Sequence, residues 1–549
     1  MTGSLIVQRD VVMVTTDGVE LRADVYRPDT PAPVPCVLTR TPYDKSRQLT
    51  VLAGLDPWRA AEAGLAVVCQ DVRGRHGSGG VFEPFAHEVA DGVQAVRWVA
   101  EQPWCNGRVG MAGRSYAGAT QWLAAIGGAP GLRAICPTVT ASELYEGSSY
   151  QGGAFQLGAN LFWAHILTRR QGRRLTADYE HLPLSTMDAF RDTSAGFYYD
   201  WLAHPSRDEY WTRHAVNGGY ASAEVAALNI GGWFDPFLHG TLENYREASR
   251  LRPGQRLILG PWGHGGVWGG YPDHRLPDMP GADLDLTGVA LEFLAGQLGD
   301  GVPHREQLGL SEDEPVLLYV MGAGRWRRES TWPPARAVPT PWYLRADGGL
   351  SPEPPGDEPT DSFRYDPADP APTVGGPVMI PGMVLGSSFG PLDNRSVEAR
   401  PDVLTYTSAP LSAPVEVTGQ LSAVLFAATT AADTDFVVKL SDVRPDGASR
   451  LLAEGIVRAR YRHGTHRPLP VRPGAIERYR VDLVATSTVF QAGHRIRVTV
   501  TSSSFPRFDR NLNTGGPIGA EDLRQARVAT QTVWHSAVRP SHVLLPVVS

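Results

Sequence analysis

The 549-residue chain has little cysteine, no concentrated run of lysine and arginine, and no apolar stretch approaching the roughly 18 residues of a membrane span. Each shortage excludes something. The four cysteines, Cys36, Cys69, Cys105 and Cys136, lack the paired or clustered spacings of a disulfide framework or a zinc site, and three of them lie inside apolar runs that read as core. A net charge of −7 without a basic patch leaves no electrostatic footprint for nucleic acid or an anionic membrane surface. The first residues lack the basic stretch and apolar run of a secretory signal, so the cytoplasm is the expected address. No repeat of constant period is visible. The expected partner is a small molecule, no cofactor or metal is called for, and a homodimer is left open.

What is present is the composition of an ordinary folded protein, 42% hydrophobic and 20% charged, at a length that calls for several structural units. From Asp10 to about Thr140 short β-branched runs alternate with helix-period stretches, which predicts a parallel sheet with crossover helices. Strands are placed at 21–26, 34–40, 65–71, 107–112 and 132–137, and their near-continuous apolar character suits a sheet buried on both faces. Val89, Val93, Val96 and Ala100 recur at three- and four-residue steps and predict an amphipathic helix over 86–102. From about Ser142 to Tyr220 aromatic-rich helical stretches take over, and the α/β pattern resumes at 226–232 and 255–260. We therefore read an α/β unit over 1–141 and 223–340, interrupted by a helical cap over 142–222.

A Pro-rich stretch from Trp332 to about Pro377 reads as a stiff connector. Beyond it, period-two alternation over 421–425, 436–440 and 495–500, with Pro445-Asp446-Gly447 as a hairpin turn, predicts a β-sandwich or jelly roll over 341–549. Asp433 and Asp435 lie two residues apart in this region, far short of a calcium cage.

The chemistry centres on Val109-Gly-Met-Ala-Gly113-Arg-Ser115-Tyr116-Ala117-Gly118, which reads as a strand, a tight turn with serine at its apex, and a helix. Small residues are needed on both sides of such a serine because strand and helix backbones approach closely. Ala117 stands where the general pattern has a second glycine. In α/β hydrolases an acid and then a histidine follow the serine, each on a loop past a strand end. Asp235 follows the strand ending at Gly232, and His264 the strand ending at Gly260. Parallel strands bring such loops to one edge, so the three can converge. His239, four residues past Asp235, is the main rival base, and Asp71, with Arg73 and Arg75 nearby, reads as an ion pair or loop brace.

A serine hydroxyl attacks a carbonyl usefully only when a base takes its proton, which assigns His264 as base and Asp235 as its orienting partner. The oxyanion needs donors, and the backbone N–H of Tyr116 is one. A second belongs on the loop Leu38-Thr-Arg-Thr41-Pro42-Tyr43-Asp44, where Pro42 has no N–H to offer and Tyr43 could supply its phenol or simply pack.

Arg40-Thr-Pro-Tyr43, Asp71-Val-Arg-Gly74, Gly113-Arg-Ser-Tyr-Ala-Gly118, Gly232-Trp-Phe-Asp235 and Gly260-Pro-Trp-Gly-His264 together resemble a known serine hydrolase family. Tyr365-Asp-Pro-Ala-Asp-Pro370, Asp402-Val-Leu-Thr-Tyr406, Asp435-Phe436, Ser502-Ser-Ser-Phe-Pro506 and Asp509-Arg-Asn-Leu-Asn-Thr-Gly-Gly516 extend the likeness over nearly the whole chain. The family is that of the bacterial cocaine esterases, X-prolyl dipeptidyl peptidases and α-amino acid ester hydrolases. The resemblance implies an α/β-hydrolase fold with an inserted helical cap and a C-terminal β jelly roll, and Tyr43 as second oxyanion donor. It also implies that Trp163 and Phe237 line an acyl pocket. The start of the cap, Glu143-Leu-Tyr145-Glu-Gly-Ser-Ser-Tyr150, departs from the family pattern, so benzoate-ester specificity does not follow from it.

The leading expectation is a serine carboxylesterase acting on small aromatic or hydrophobic acyl esters through an acyl-serine intermediate. The alternative is an X-prolyl dipeptidyl aminopeptidase or an α-amino acid ester hydrolase or acylase, whose substrate ammonium would need carboxylates from the cap. Glu143, Glu146, Asp208 and Glu209 are the candidates, each also readable as a solvated surface acid. A non-catalytic glycan-binding jelly roll is the reading from another class, and it gives no reason for the ordered nucleophile, acid and base.

Overall fold

A computed structural model describes residues 4–168, 174–191, 193–265, 279–299, 309–379 and 389–548. Met1 to Gly3 of the N-terminal segment read above lie outside the described residues.

Among these residues a ten-stranded sheet organises the first part of the chain. Its strands run in the order Leu5–Val14, Glu20–Pro28, Ala66–Asp71, Val34–Thr41, Cys105–Arg114, Leu132–Thr138, Ala226–Phe234, Gln255–Gly263, Val316–Val320, Arg325–Glu329. The strands from Ala66–Asp71 to Val316–Val320 pair in parallel, while the outer ones pair antiparallel. Leu38, Val68, Met111 and Ile135 pack with helices Glu88–Ala100 and Tyr116–Ile126 on one face. Val37, Val67, Ala112 and Cys136 pack with Leu286–Leu298 on the other. Alternate residues thus point to opposite covered faces, which is why these strands read as continuous apolar runs. All four cysteines are free and buried.

Between Thr138 and Ala226 the chain leaves the sheet and builds helices Leu157–Thr168, Arg174–Glu180 and Phe197–Ala203, with short turns and a two-residue hairpin. Aromatic side chains fill their interior, with Tyr150, Phe155, Trp163, Tyr198, Trp201 and Trp211 in one buried cluster. The C-terminal part is a β-sandwich of a seven-stranded and a four-stranded sheet. The turn at Pro445-Asp446-Gly447 joins Asp435–Val443 to Ser449–Arg458, with Gly447 at φ +84° and its N–H donating to Arg444 O at 2.9 Å.

The Pro-rich stretch from Trp332 is a correction. It is not a connector: Ala337–Leu344 pairs along its length with the last strand, His542–Val548, and Asp361–Tyr365 pairs with Ala529–Val533. Pro339 and Pro341 are tolerated because the neighbour on the other side, Leu350–Ser351, reaches only Tyr343 and Leu344, which leaves that part of the strand an edge. No helix among the described residues is long and apolar enough to cross a membrane.

Candidate active site

Ser115, Asp235 and His264 each follow directly on a parallel strand, ending respectively at Arg114, Phe234 and Gly263. Ser115 has φ 57° and ψ −121°, a conformation that costs a non-glycine residue about 1–3 kcal/mol. The surroundings hold it there: its N–H donates to Thr138 O at 2.9 Å and its carbonyl accepts from Thr140 Oγ1 at 2.8 Å. Gly113 has φ +146°, and a Cβ on it would lie 2.7 Å from the Cβ of Ala117. The alanine in place of a second glycine is therefore accommodated by the missing side chain of the first.

Behind the turn, the Tyr116 phenol donates to Glu88 Oε1 at 2.9 Å and accepts from Phe85 N at 3.1 Å. Glu88 in turn pairs with Arg40, which is wholly buried and also bonds Gln70 Oε1 at 2.9 Å. These polar contacts anchor the first residue of the helix, so the backbone at Ser115 is set from behind.

The three side chains form a continuous relay. His264 Nδ1 lies 2.8 Å from Asp235 Oδ1, and His264 Nε2 lies 3.0 Å from Ser115 Oγ. A carboxylate only accepts, so Nδ1 carries the proton, and Nε2 is left to accept from the serine hydroxyl. Asp235 is 1% exposed and its Oδ2 has no partner among the described residues. Phe237 meets the imidazole edge-on at 5.0 Å and limits its tilt.

Two candidate donors lie next to Ser115. Tyr116 opens its helix, so its N–H has no intrahelical carbonyl. The Tyr43 hydroxyl lies beside Ser115; burial raises this phenol above its ordinary value, against the pull of Trp163, Ser115 and Arg75, and keeps it protonated. An anion developing on a carbonyl bound at Ser115 would find a hydrogen-bond donor on either hand.

A cleft enclosing about 670 Å³, part of it open to solvent, opens on Ser115. Trp163 and Phe237 line it as expected, with Tyr43 and Tyr116. Phe85, Leu123, Trp201, Val216 and Met379 also line it, and they carry no signal in the sequence beyond that of ordinary core residues. Ser142 and His214 in the lining keep Oγ and Nε2 buried without a partner among the described residues.

The rival residues lie elsewhere. His239 is in the first turn of Leu238–Leu251, packed on Gly147, and makes no contact in the relay. Asp71 is a loop brace, accepting from Lys45 N at 2.8 Å and Gly77 N at 3.2 Å, whereas Arg73 pairs with Asp17 and Asp91. Glu143 and Glu146 are not solvated acids: Glu143 is 6% exposed and accepts from Arg207 Nε at 2.8 Å, and burial pushes Glu146 up to about 7. Asp208 and Glu209 are exposed and do not line the cleft. Asp433 and Asp435 face Arg460 and Arg458.

The chain matches the family model of the X-Pro dipeptidyl-peptidase (S15 family) over residues 17–266 and that of the X-Pro dipeptidyl-peptidase C-terminal non-catalytic domain over 309–544. It is 36% identical to the cocaine esterase of Rhodococcus sp. (strain MB1 Bresler), over 100% of this chain and 99% of that protein. Among solved structures it is similar to an aminopeptidase from a marine sediment Thaumarchaeota archaeon, at 29% identity and a TM-score of 0.84, covering 100% of this chain and 97% of that one. It is similar also to an α-amino acid ester hydrolase, at 28% identity and a TM-score of 0.84 with the same coverage. With an α/β-hydrolase fold, a C-terminal β-rich domain and relatives along its whole length, the chain belongs to the S15 family of serine hydrolases that includes the cocaine esterases.

Proposed function

We propose that Ser115 is the nucleophile of a carboxylesterase, His264 its general base and then acid, and Asp235 the group that orients the imidazole and stabilises its charged form. The observation that carries this reading is the relay from Asp235 Oδ1 through His264 to Ser115 Oγ, with steps of 2.8 and 3.0 Å, at the mouth of an aromatic cleft. As Ser115 Oγ bonds to the ester carbonyl carbon, its proton passes to His264 Nε2 and the carbonyl oxygen becomes an anion held by Tyr43 Oη–H and Tyr116 N–H. Collapse of this intermediate breaks the bond to the alkoxy oxygen, which leaves with the proton from Nε2. Water, deprotonated by His264, then hydrolyses the acyl-serine and restores the enzyme.

The substrate class is a small aromatic or hydrophobic acyl ester, because Trp163, Phe237, Phe85 and Trp201 wall the cleft. The name of the Rhodococcus relative supports an ester as substrate. The aminopeptidase reading would use Glu143, the one cap carboxylate among the candidates that lines the cleft, for a substrate ammonium; its oxygens are bound by Arg207, which favours the ester.

A fluorophosphonate probe tests the nucleophile. The intact protein should be labelled and should hydrolyse phenyl esters faster than an X-Pro chromogenic amide; equal labelling of Ser115→Ala overturns the assignment. We further propose the division 1–141, 142–222 and 223–340, with the last junction moved from 340 to just before Ala337, where the first strand of the sandwich begins. A cytoplasmic address is tested by cell fractionation, and a homodimer by sedimentation.

A further inference from the structure

We propose that Trp163 is a positioning residue whose indole N–H fixes the Tyr43 hydroxyl with its single proton toward Ser115, so that the cap completes the oxyanion site. The inference rests on the esterase reading above and goes beyond the place of Trp163 as a wall of the acyl pocket. Trp163 Nε1 lies 2.9 Å from Tyr43 Oη. An indole N–H can only donate, so the tyrosine oxygen must accept at that contact. A phenol has one proton. With one side of its oxygen taken by Trp163, that proton is left for the other side, where Ser115 lies. A phenylalanine or leucine at 163 would wall the pocket equally well but would leave the hydroxyl free to turn.

The indole and the tyrosine are both held. Trp163 stacks on Trp201 at 5.7 Å and 10°, and meets Phe197 at 4.8 Å. The Pro42 carbonyl, at the peptide that leads into Tyr43, bonds to Arg75 Nε at 3.1 Å and His76 Nε2 at 3.0 Å. Arg75 Nη2 reaches on to the carbonyl of Leu167 at 3.1 Å, one turn after Trp163 in the same helix Leu157–Thr168. One guanidinium therefore ties the Tyr43 loop to the helix that carries Trp163 and sets the spacing across which the indole N–H reaches the phenol. Such a bracket joins the cap to the reacting atoms through hydrogen bonds, not through apolar contact alone.

The test is a double-mutant cycle on ester hydrolysis with Trp163→Phe and Tyr43→Phe in the full chain. Loss of one hydrogen bond that orients a donor should lower kcat about tenfold in Trp163→Phe, with KM changed by less than about threefold. In the Tyr43→Phe background the same change should have no further effect on kcat, because the group it positions is gone. Independent, multiplying losses, or a rise in KM at constant kcat, would reduce Trp163 to a pocket wall and overturn the proposal. If Trp163→Phe misfolds, the sulfur isostere of tryptophan, benzothienylalanine, incorporated at 163 keeps the shape and lacks the N–H; full kcat in that protein would also overturn it. Failure of the esterase reading is distinct, since it would show as Ser115→Ala retaining turnover.

Discussion

Around Arg458 and around Ser115 the chain buries polar groups in opposite ways. Arg458 sits between Asp435 and Asp509, with four N···O contacts of 2.8 to 3.2 Å, and its backbone N–H reaches Gly152 O of the cap at 2.9 Å. Asp509 Oδ1 also accepts from Phe155 N, and Asn511 bonds Asp435 and Asp433. Each group there has its partner within the chain, and the result is a joint between cap and sandwich. At Ser115 the set is left incomplete: Tyr43 and Tyr116 line the cleft beside the serine, and Ser142 Oγ and His214 Nε2 are buried in its wall without a partner among the described residues. Completeness gives rigidity, and the open positions are where a substrate can supply the missing partner.

This contrast can be broken from either side. The largest effect belongs to Asp235→Asn, which leaves the imidazole in the wrong tautomer: kcat should fall on the order of 10⁴-fold in ester hydrolysis, with the melting temperature little changed. A large loss of stability instead would mean that the relay is structural. Arg458→Met should do the reverse, leaving Asp435 and Asp509 as unpaired buried charges at a cost of about 3–5 kcal/mol in urea unfolding, while the folded fraction keeps its kcat.

Tyr116 links the two kinds of contact, its N–H on the side of the cleft and its phenol hydrogen-bonded behind the turn. Tyr116→Phe removes the contacts to Glu88 and Phe85 N and should cost about 1–3 kcal/mol of stability, with kcat reduced by less than about tenfold. A hundredfold loss of kcat, about 2.7 kcal/mol, would show that the network behind Tyr116 controls the oxyanion geometry directly.

The smallest effect is a slope with pH. Burial pushes Glu146 from an ordinary value of 4.5 up to about 7, against the pull of His239 and of the Gly152 N–H. The folded chain therefore keeps this proton where the unfolded chain has lost it, so the associated stability is whole below about pH 4 and is lost as pH rises through 7. Glu146→Gln should flatten thermal stability across that window, and an unchanged slope would assign it to other groups.

Ser115, Asp235 and His264 are legible as a candidate nucleophile, acid and base because each lies directly after a strand whose apolar run marks it, and because parallel strands end at one edge. Tyr43 falls at that edge by the same logic, but the expectation that it is a donor comes only from the family resemblance, since a lone aromatic at a strand end is equally a packing residue. The Pro-rich stretch misled because an edge strand needs hydrogen bonds on one side only and so tolerates the prolines that normally mark a connector. Arg75, four residues after Asp71, reads with that acid in the sequence; its guanidinium instead spans Pro42 and Leu167, two carbonyls 125 residues apart.

By itself, then, the sequence determined the alternation of strands and helices from about residue 21 to 137, the sharp turn at Ser115 and the positions of Asp235 and His264, because these follow from local periodicity and from steric demands between near neighbours. The tertiary structure alone decided which polar atoms are paired and which are left open: the Trp163 bond to Tyr43, the polar network behind Tyr116 and the Glu143 contact with Arg207. Those outcomes depend on how closely segments remote in the chain approach one another, which only tertiary packing can set.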